Sequence, residues 1–202
     1  LKDMIPLNFP HVMGYDVSGV VTEVGKDVTK FKVGDAVFAR ANQDDAGALA
    51  EVARVKESEL ALKPENITHA EAASIPLTGL TAWQALVDKA GLKEGQQVLI
   101  HAGSGGVGTL AIQIAKHLGA FVATTVSARN AELVTALGAD VVINYQEQDF
   151  TDIVSDYDVV FDMSGGDVMK ASIQEKDGEL KQLNSMVGWD YYENWCWRPE
   201  SK

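Results

Sequence analysis

The stretch from Val98 to Gly108, V-L-I-H-A-G-S-G-G-V-G, limits what this chain can fold into more than any other. Val98-Leu99-Ile100 has the length and β-branched bias of a buried strand. Gly103, Gly105 and Gly108 follow directly, in the spacing G-x-G-x-x-G. Val107, Leu110, Ala111, Ile114, Ala115 and Leu118 then recur at helical spacing, as on one face of an amphipathic helix. Strand, glycine turn and helix in that order form the dinucleotide-binding fingerprint. In it the first glycine permits a tight turn, the second lets backbone approach the pyrophosphate, and the third lets helix and strand pack closely. Amides at the helix start face the phosphates. Gly103, Ser104, Gly105, Gly106, Val107 and Gly108 are therefore the candidate cofactor-binding turn. A phosphate-binding loop of the nucleotide hydrolases is excluded, because residue 109 is Thr where G-x-x-x-x-G-K-[ST] requires Lys.

Around this turn the hydrophobic pattern changes character once. Before it, short runs separated by turn signals read as strands: one across Val17, Val20, Val21 and Val24, then Ala36–Ala39, then Leu49–Val55. Thr68 and Glu71 fit a capping box that opens a short helix, which Pro76 ends or kinks. Leu77–Ala90 reads as a longer helix closed by Gly91. From there strands at Val98–His101, Phe121–Val126, Val141–Ile143, Val159–Phe161 and near Leu180–Met186 alternate with helices. Those helices start near Gly106, Asn130 and Asp149 and after Gly166. The alternation implies an α/β architecture with a parallel sheet covered on both faces. The expected division is 1–75, 76–188 and an aromatic-rich tail, 189–202.

The end of the second strand of that sheet discriminates between dinucleotides. An NAD site usually carries Asp or Glu there, about 20 residues past the glycines, to hold the ribose 2′-hydroxyl. Here the chain reads Ser127-Ala128-Arg129-Asn130, and the next acid is Glu132. A hydroxyl and a guanidinium suit a 2′-phosphate, since Arg pairs with phosphate through a planar fork. The alternative is that Arg129 caps a solvated turn. The expected cofactor is NADP(H).

Composition narrows the partners. Lys and Arg number 17 against 29 acids, a net charge of −12, which disfavours a general role on nucleic acid or anionic membranes. No apolar run has the length of a membrane span, and the start lacks a signal-peptide pattern, so a cytoplasmic setting is expected. The single cysteine, Cys196, excludes an intrachain disulfide and a cysteine-built metal cage. His11, His69, His101 and His117 lack ligand spacing and read as surface or packed residues, so no metal site is expected.

I-P-L-T-G-L-T-A-W at 75–83, H-A-G-S-G-G-V-G at 101–108, L-G-A at 137–139, I-N-Y at 143–145 and D-M-S-G-G at 162–166 occur in order. Together they resemble the medium-chain dehydrogenase/reductase superfamily, in its zinc-independent quinone oxidoreductase (zeta-crystallin-like) branch, over residues 3 to about 172. The resemblance implies a partial GroES-like β domain followed by an incomplete Rossmann sheet that binds NADPH. It also implies metal-free hydride transfer to a quinone or an α,β-unsaturated carbonyl. Zinc alcohol dehydrogenases of the superfamily read G-H-E where this chain has Gly14-Tyr15-Asp16, so Tyr15 replaces a zinc-ligand His. By the same match Tyr15 lines the substrate side and Thr78 lies near the nicotinamide; ordinary packing is the alternative for both. Ser127, Arg129 and Tyr145 would surround the adenosine phosphate, and Ser164 and Gly165 would approach the nicotinamide-ribose end. Asp16 and Asp162 are acid candidates on position alone.

The chain departs from that pattern in two places. The longer N-terminal β segment with its N-P-x-D-like motif is absent, as are the sixth Rossmann strand and the return to the first domain. The resemblance thus implies truncation at both ends. The tail holding Trp189, Tyr191, Tyr192, Trp195 and Trp197 is open between covering a sheet edge, binding a partner and arising from a disrupted reading frame. Three functional readings stand: an oxidoreductase acting on a small-molecule quinone or enone, a non-catalytic NADP(H)-binding module, and a remnant of such an enzyme. Assembly into a homodimer is left open.

Overall fold

The computed structural model describes residues 11–42 and 47–173 and the backbone of 183–185. The chain divides into two compact units, Leu1–Leu80 and Thr81–Lys202.

Among the described residues the first unit holds an antiparallel sheet of three strands, β1 (Asp16–Val20), β2 (Ala36–Arg40) and β3 (Leu60–Leu62), in the order β1-β2-β3. β2 is central, with Ala39 opposite Val17 on one side and Leu60 on the other. Its alternation follows from the pleat: Val37 and Ala39 are buried while their neighbours are half-buried. The strand expected at Leu49–Val55 does not form. Those residues run through bends and loop, with Leu49 79% and Val52 74% exposed. β1 and β3 take both edges of β2, and residues 47–49 instead bond the segment just ahead of β1, where the Leu49 N–H donates to Met13 O at 2.8 Å. β1 likewise stops at Val20, short of the expected Val24.

α1 (His69–Ala73) opens on the expected capping box. The Thr68 hydroxyl accepts from the Glu71 N–H at 3.2 Å, and the Glu71 carboxylate accepts from the Thr68 N–H at 2.8 Å. Pro76 is the first residue of α2 (Pro76–Trp83), where a missing N–H leaves nothing unpaired. The single helix expected over 77–90 instead changes bonding partway. Gln84–Lys89 is π-helical, and the Ala90 N–H reaches Ala85 O at 2.9 Å.

Among the described residues the second unit has five parallel strands: β4 (Gln97–Ile100), β5 (Phe121–Val126), β6 (Val141–Asn144), β7 (Val159–Asp162) and β8 (Leu183–Ser185). Their order is β6-β5-β4-β7-β8. The chain therefore moves outward from β4 and then returns to β4's other side, creating a switch point between β4 and β7. Val98, Leu99 and Ile100 of β4 are each 0% exposed. Val98 and Ile100 join a cluster with Ala111, Ile112, Val122 and Val134, whereas Leu99 joins Ala123, Ile143, Tyr157 and Val160. Burial of both faces explains the unbroken apolar run.

Three helices follow the strands: α3 (Gly106–His117), α4 (Ala131–Ala136) and α5 (Gly166–Ile173). The buried stripe of α3 is Gly108, Ala111, Ile112 and Ala115, rotated from the expected one, and Leu110 and Ile114 are only partly buried. Near Asp149 the expected helix is a single 3-10 turn, Phe150–Asp152, whose start Asp149 caps by accepting from the Thr151 N–H at 3.0 Å. The rest of the expected strand around β8, and the tail from Trp189, lie outside the described residues.

Candidate functional site

The glycine turn begins with a residue that is not glycine. Ala102 takes φ +54°, the corner the fingerprint assigns to its first glycine. Gly103 instead serves close packing: a Cβ there would run into the Thr124 side chain and lie 3.1 Å from Ile112 Cδ1. At Gly108 a Cβ would lie 2.5 Å from Ala102 O and 2.7 Å from Gly103 Cα. The two outer glycines thus let the first turn of α3 rest on the turn itself. A Cβ on Gly105 would meet only Ala102 O, at 3.3 Å, and Gly105 and Gly106 are exposed. The Gly105 N–H is used by Ala102 O at 3.0 Å. Gly106, Val107 and Gly108 carry the amides that a helix start leaves without an intrahelical acceptor. With a helix of 12 residues behind them, they form a positive end suited to an anion.

Beside the turn, at the end of β5, stand Ser127, Arg129 and Asn130. Arg129 is exposed and makes no ion pair or hydrogen bond among the described residues. Asn130 was singled out in sequence only as a helix start. In the structure its Nδ2 donates to Ser104 Oγ at 2.9 Å and to Ser127 Oγ at 3.3 Å, tying the glycine turn to β5.

A cleft of about 700 Å³ opens at the carboxyl ends of the same strands. It brings Tyr145 and Ser164 together with His101, Ala102, Thr125 and residues 146–150; Ser127 and Arg129 lie outside its walls. Gly165 is buried in the turn after β7. That turn is organised by Asp162, which is 0% exposed. Its carboxylate accepts from the Ser164 N–H at 2.9 Å and the Gly165 N–H at 3.0 Å. In the first unit Asp16 Oδ1 similarly accepts from the Leu77 N–H at 2.8 Å, near the start of α2. Both positional acid candidates therefore hold backbone amides.

His101 is 1% exposed at the floor of the cleft. The Ser172 hydroxyl donates to Val168 O at 2.9 Å, so its oxygen accepts the Nε2–H of His101 at 3.0 Å. Nδ1 then accepts from the Thr125 hydroxyl at 3.1 Å, whose oxygen accepts the Ala102 N–H at 3.2 Å. One tautomer satisfies every member of the chain. Burial pushes the imidazole down to about 4, against the pull of the Asp162 carboxylate, so His101 is neutral near neutral pH. It is a packed residue, as its sequence context implied; its link to α5, 71 positions away, carried no sequence signal.

The two catalytic candidates have local partners in the first unit. The Arg40 guanidinium sits 5.5 Å from the centroid of the half-buried Tyr15 ring. The Thr78 hydroxyl donates back to Ser74 O at 3.1 Å, a common use of Thr within a helix. Among the described residues no group of three or more His, Cys, Asp or Glu side chains could hold a metal ion. No described helix is long and apolar enough to cross a membrane.

Comparison with known proteins adds independent findings. Residues 2–65 match the family described as alcohol dehydrogenase GroES-like domain, and residues 106–176 match zinc-binding dehydrogenase. A 2-methylene-furan-3-one reductase of Solanum lycopersicum is 40% identical over 88% of this chain and 48% of its own length. An NADPH-dependent alkenal/one oxidoreductase of Arabidopsis thaliana chloroplasts is 41% identical over the same shares. The structure of the quinone oxidoreductase from Coxiella burnetii superposes with a TM-score of 0.77 at 45% identity, covering 83% of this chain and 53% of that one. The chain spans about half the length of the curated relatives it matches.

Proposed function

From its membership of the medium-chain dehydrogenase/reductase superfamily, we propose that this chain binds NADP(H) on its second unit and serves metal-free reduction of a quinone or an α,β-unsaturated carbonyl. The observation that carries the reading is the set of orphan amides at Gly106–Gly108 together with the guanidinium of Arg129, which is unpaired among the described residues. These groups fit a dinucleotide phosphate in charge and donor character, and the open side of Gly105 leaves room for one. When bound, NADPH supplies a hydride from its nicotinamide ring. The chain's own part is to bind and orient. The turn Gly103, Ser104, Gly105, Gly106, Val107 and Gly108 would hold the pyrophosphate, Ser127, Arg129 and Tyr145 the adenosine phosphate, and Ser164 and Gly165 the nicotinamide-ribose end. Tyr15 and Thr78 are proposed to contact the acceptor and the nicotinamide. The names of the alkenal/one and quinone oxidoreductase relatives support the acceptor class.

The partner class that follows is a small molecule in a cytoplasmic setting, consistent with the excess of 29 acids over 17 bases. A homodimer is an added expectation, which light scattering checks. A second reading, a module that binds without turnover, is favoured by one observation: Asp16 and Asp162 are both committed to backbone amides. Consumption of NADPH with phenanthrenequinone or an alkenal tests the enzyme reading, and fluorescence titration with NADPH tests binding alone. Binding without consumption under either acceptor selects the module; absence of both sinks the proposal.

A further inference from the structure

Ser104 and Ser127 present an asymmetry that the fold alone does not require. Each hydroxyl has one proton to donate and two lone pairs to accept with. Asn130 Nδ2 occupies a lone pair on each, at 2.9 and 3.3 Å. Among the described residues neither hydroxyl proton meets an acceptor. Asn130 is itself fixed by its backbone N–H, which donates to Ser127 O at 2.9 Å. One amide thus leaves two hydroxyl protons without a protein acceptor among the described residues, and Ser127 stands two positions in the chain from Arg129, whose guanidinium is likewise unpaired among them.

We propose that Asn130 sets the polarity of this corner: by donating to Ser104 and Ser127 at once, it leaves both hydroxyl protons for an incoming group and so favours a phosphate monoester, the 2′-phosphate of an adenosine, over a ribose hydroxyl. The inference rests on the NADP(H) reading above and names a residue that confers its selectivity. A phosphate monoester offers only acceptors near neutral pH and takes donors from both serines and Arg129. A ribose hydroxyl has two lone pairs and no charge, so it takes fewer of these donors and brings no counter-charge to Arg129. Asn130 is a positioning residue, acting through the two serines.

The test is calorimetric titration of the 202-residue chain with NADPH, NADH, adenosine 2′,5′-bisphosphate and adenosine 5′-monophosphate. In Asn130→Asp the carboxylate accepts from both hydroxyls and turns their protons inward. The ratio of NADPH to NADH affinity should then fall by roughly a hundredfold, two charge-assisted bonds being lost. Asn130→Ala frees the hydroxyls to rotate and should lower the ratio by about fivefold, a fraction of one hydrogen bond. In a Ser104→Ala/Ser127→Ala background Asn130→Ala should have no further effect, which a purely structural role would not produce. If Asn130→Asp fails to fold, that cycle and the alanine variants carry the same test. A wild-type chain that binds NADPH no more tightly than NADH overturns the cofactor reading and this inference with it. A wild type that prefers NADPH, with Asn130→Ala keeping the full ratio, overturns the inference alone. Equal losses for NADPH and NADH, with adenosine 2′,5′-bisphosphate unaffected, would place the serines on the pyrophosphate and also overturn it.

Discussion

The second unit has two strand–glycine–helix turns side by side, after β4 and after β7, and they use glycine for opposite reasons. After β4, Gly103 and Gly108 are needed for space, since a Cβ on either would strike Thr124, Ala102 or Gly103 itself. The positive dihedral there falls on Ala102. After β7, Gly165 and Gly166 take φ +68° and +59°, and a Cβ on Gly166 would meet nothing within 4 Å. One turn is limited by volume and the other by backbone angle. A glycine triplet in sequence does not reveal which, because both demands are met by the same missing atom.

Four measurements can break or sharpen that contrast. The largest effect is expected from Gly108→Val, which overpacks the contact between α3 and its own turn. It should cost about 3 kcal/mol or more in chemical denaturation and abolish NADPH binding. A fully stable variant would show that volume is not the constraint.

The second measurement concerns His101, which links the end of β4 to β5 through Thr125 and to α5 through Ser172. Its folded value of about 4 lies below its ordinary 6.5, so the native state binds fewer protons between those limits. This contribution to stability is whole above pH 6.5 and is lost as pH falls toward 4, about 3 kcal/mol in all. The His101→Gln variant should lack that leg of the pH–stability curve; an unchanged curve refutes the assignment.

Gly166→Ala should cost about 1 kcal/mol, the penalty of a left-handed angle for an L-residue in open space. A loss as large as that of Gly108→Val would mean that the two turns are not different in kind. The smallest effect should come from Ala102→Gly. Relief of the positive φ is partly offset by unfolded-chain entropy, leaving a net gain of about 0.5 kcal/mol in thermal unfolding.

What was legible in the sequence follows from range. The β4 run and the capping box at Thr68 and Glu71 are set by near neighbours and formed as expected, and so did the alternation of strands and helices among the described residues, except for the single 3-10 turn after Asp149. Features set by distant partners were not legible. The pattern at 49–55 has strand character, but β3 holds the place beside β2. The buried stripe of α3 is rotated because Gly108 and Ile112 are drawn against the turn and β5. In the site, the residue types of the turn and of Ser127 and Arg129 could be read directly. The Asn130 and His101 networks could not, since they depend on which hydroxyls the sheet brings within reach.

The π-helical segment Gln84–Lys89 has a consequence for how this chain can change length. Each added residue turns a helix by about 100°, so a wide turn holds one more residue than the α-helical path needs. Ala82 before it, and Ala85 and Leu86 within it, are each at most 2% exposed, so the buried face of α2 runs on into the wide turn. The segment therefore works as a slack turn, taking up one extra residue without turning the buried face away from the core. Chemical identity at the exposed positions 84 and 88 can drift with little effect, and loss of a single residue there would close the wide turn to an α-helical one while leaving the flanking segments in step.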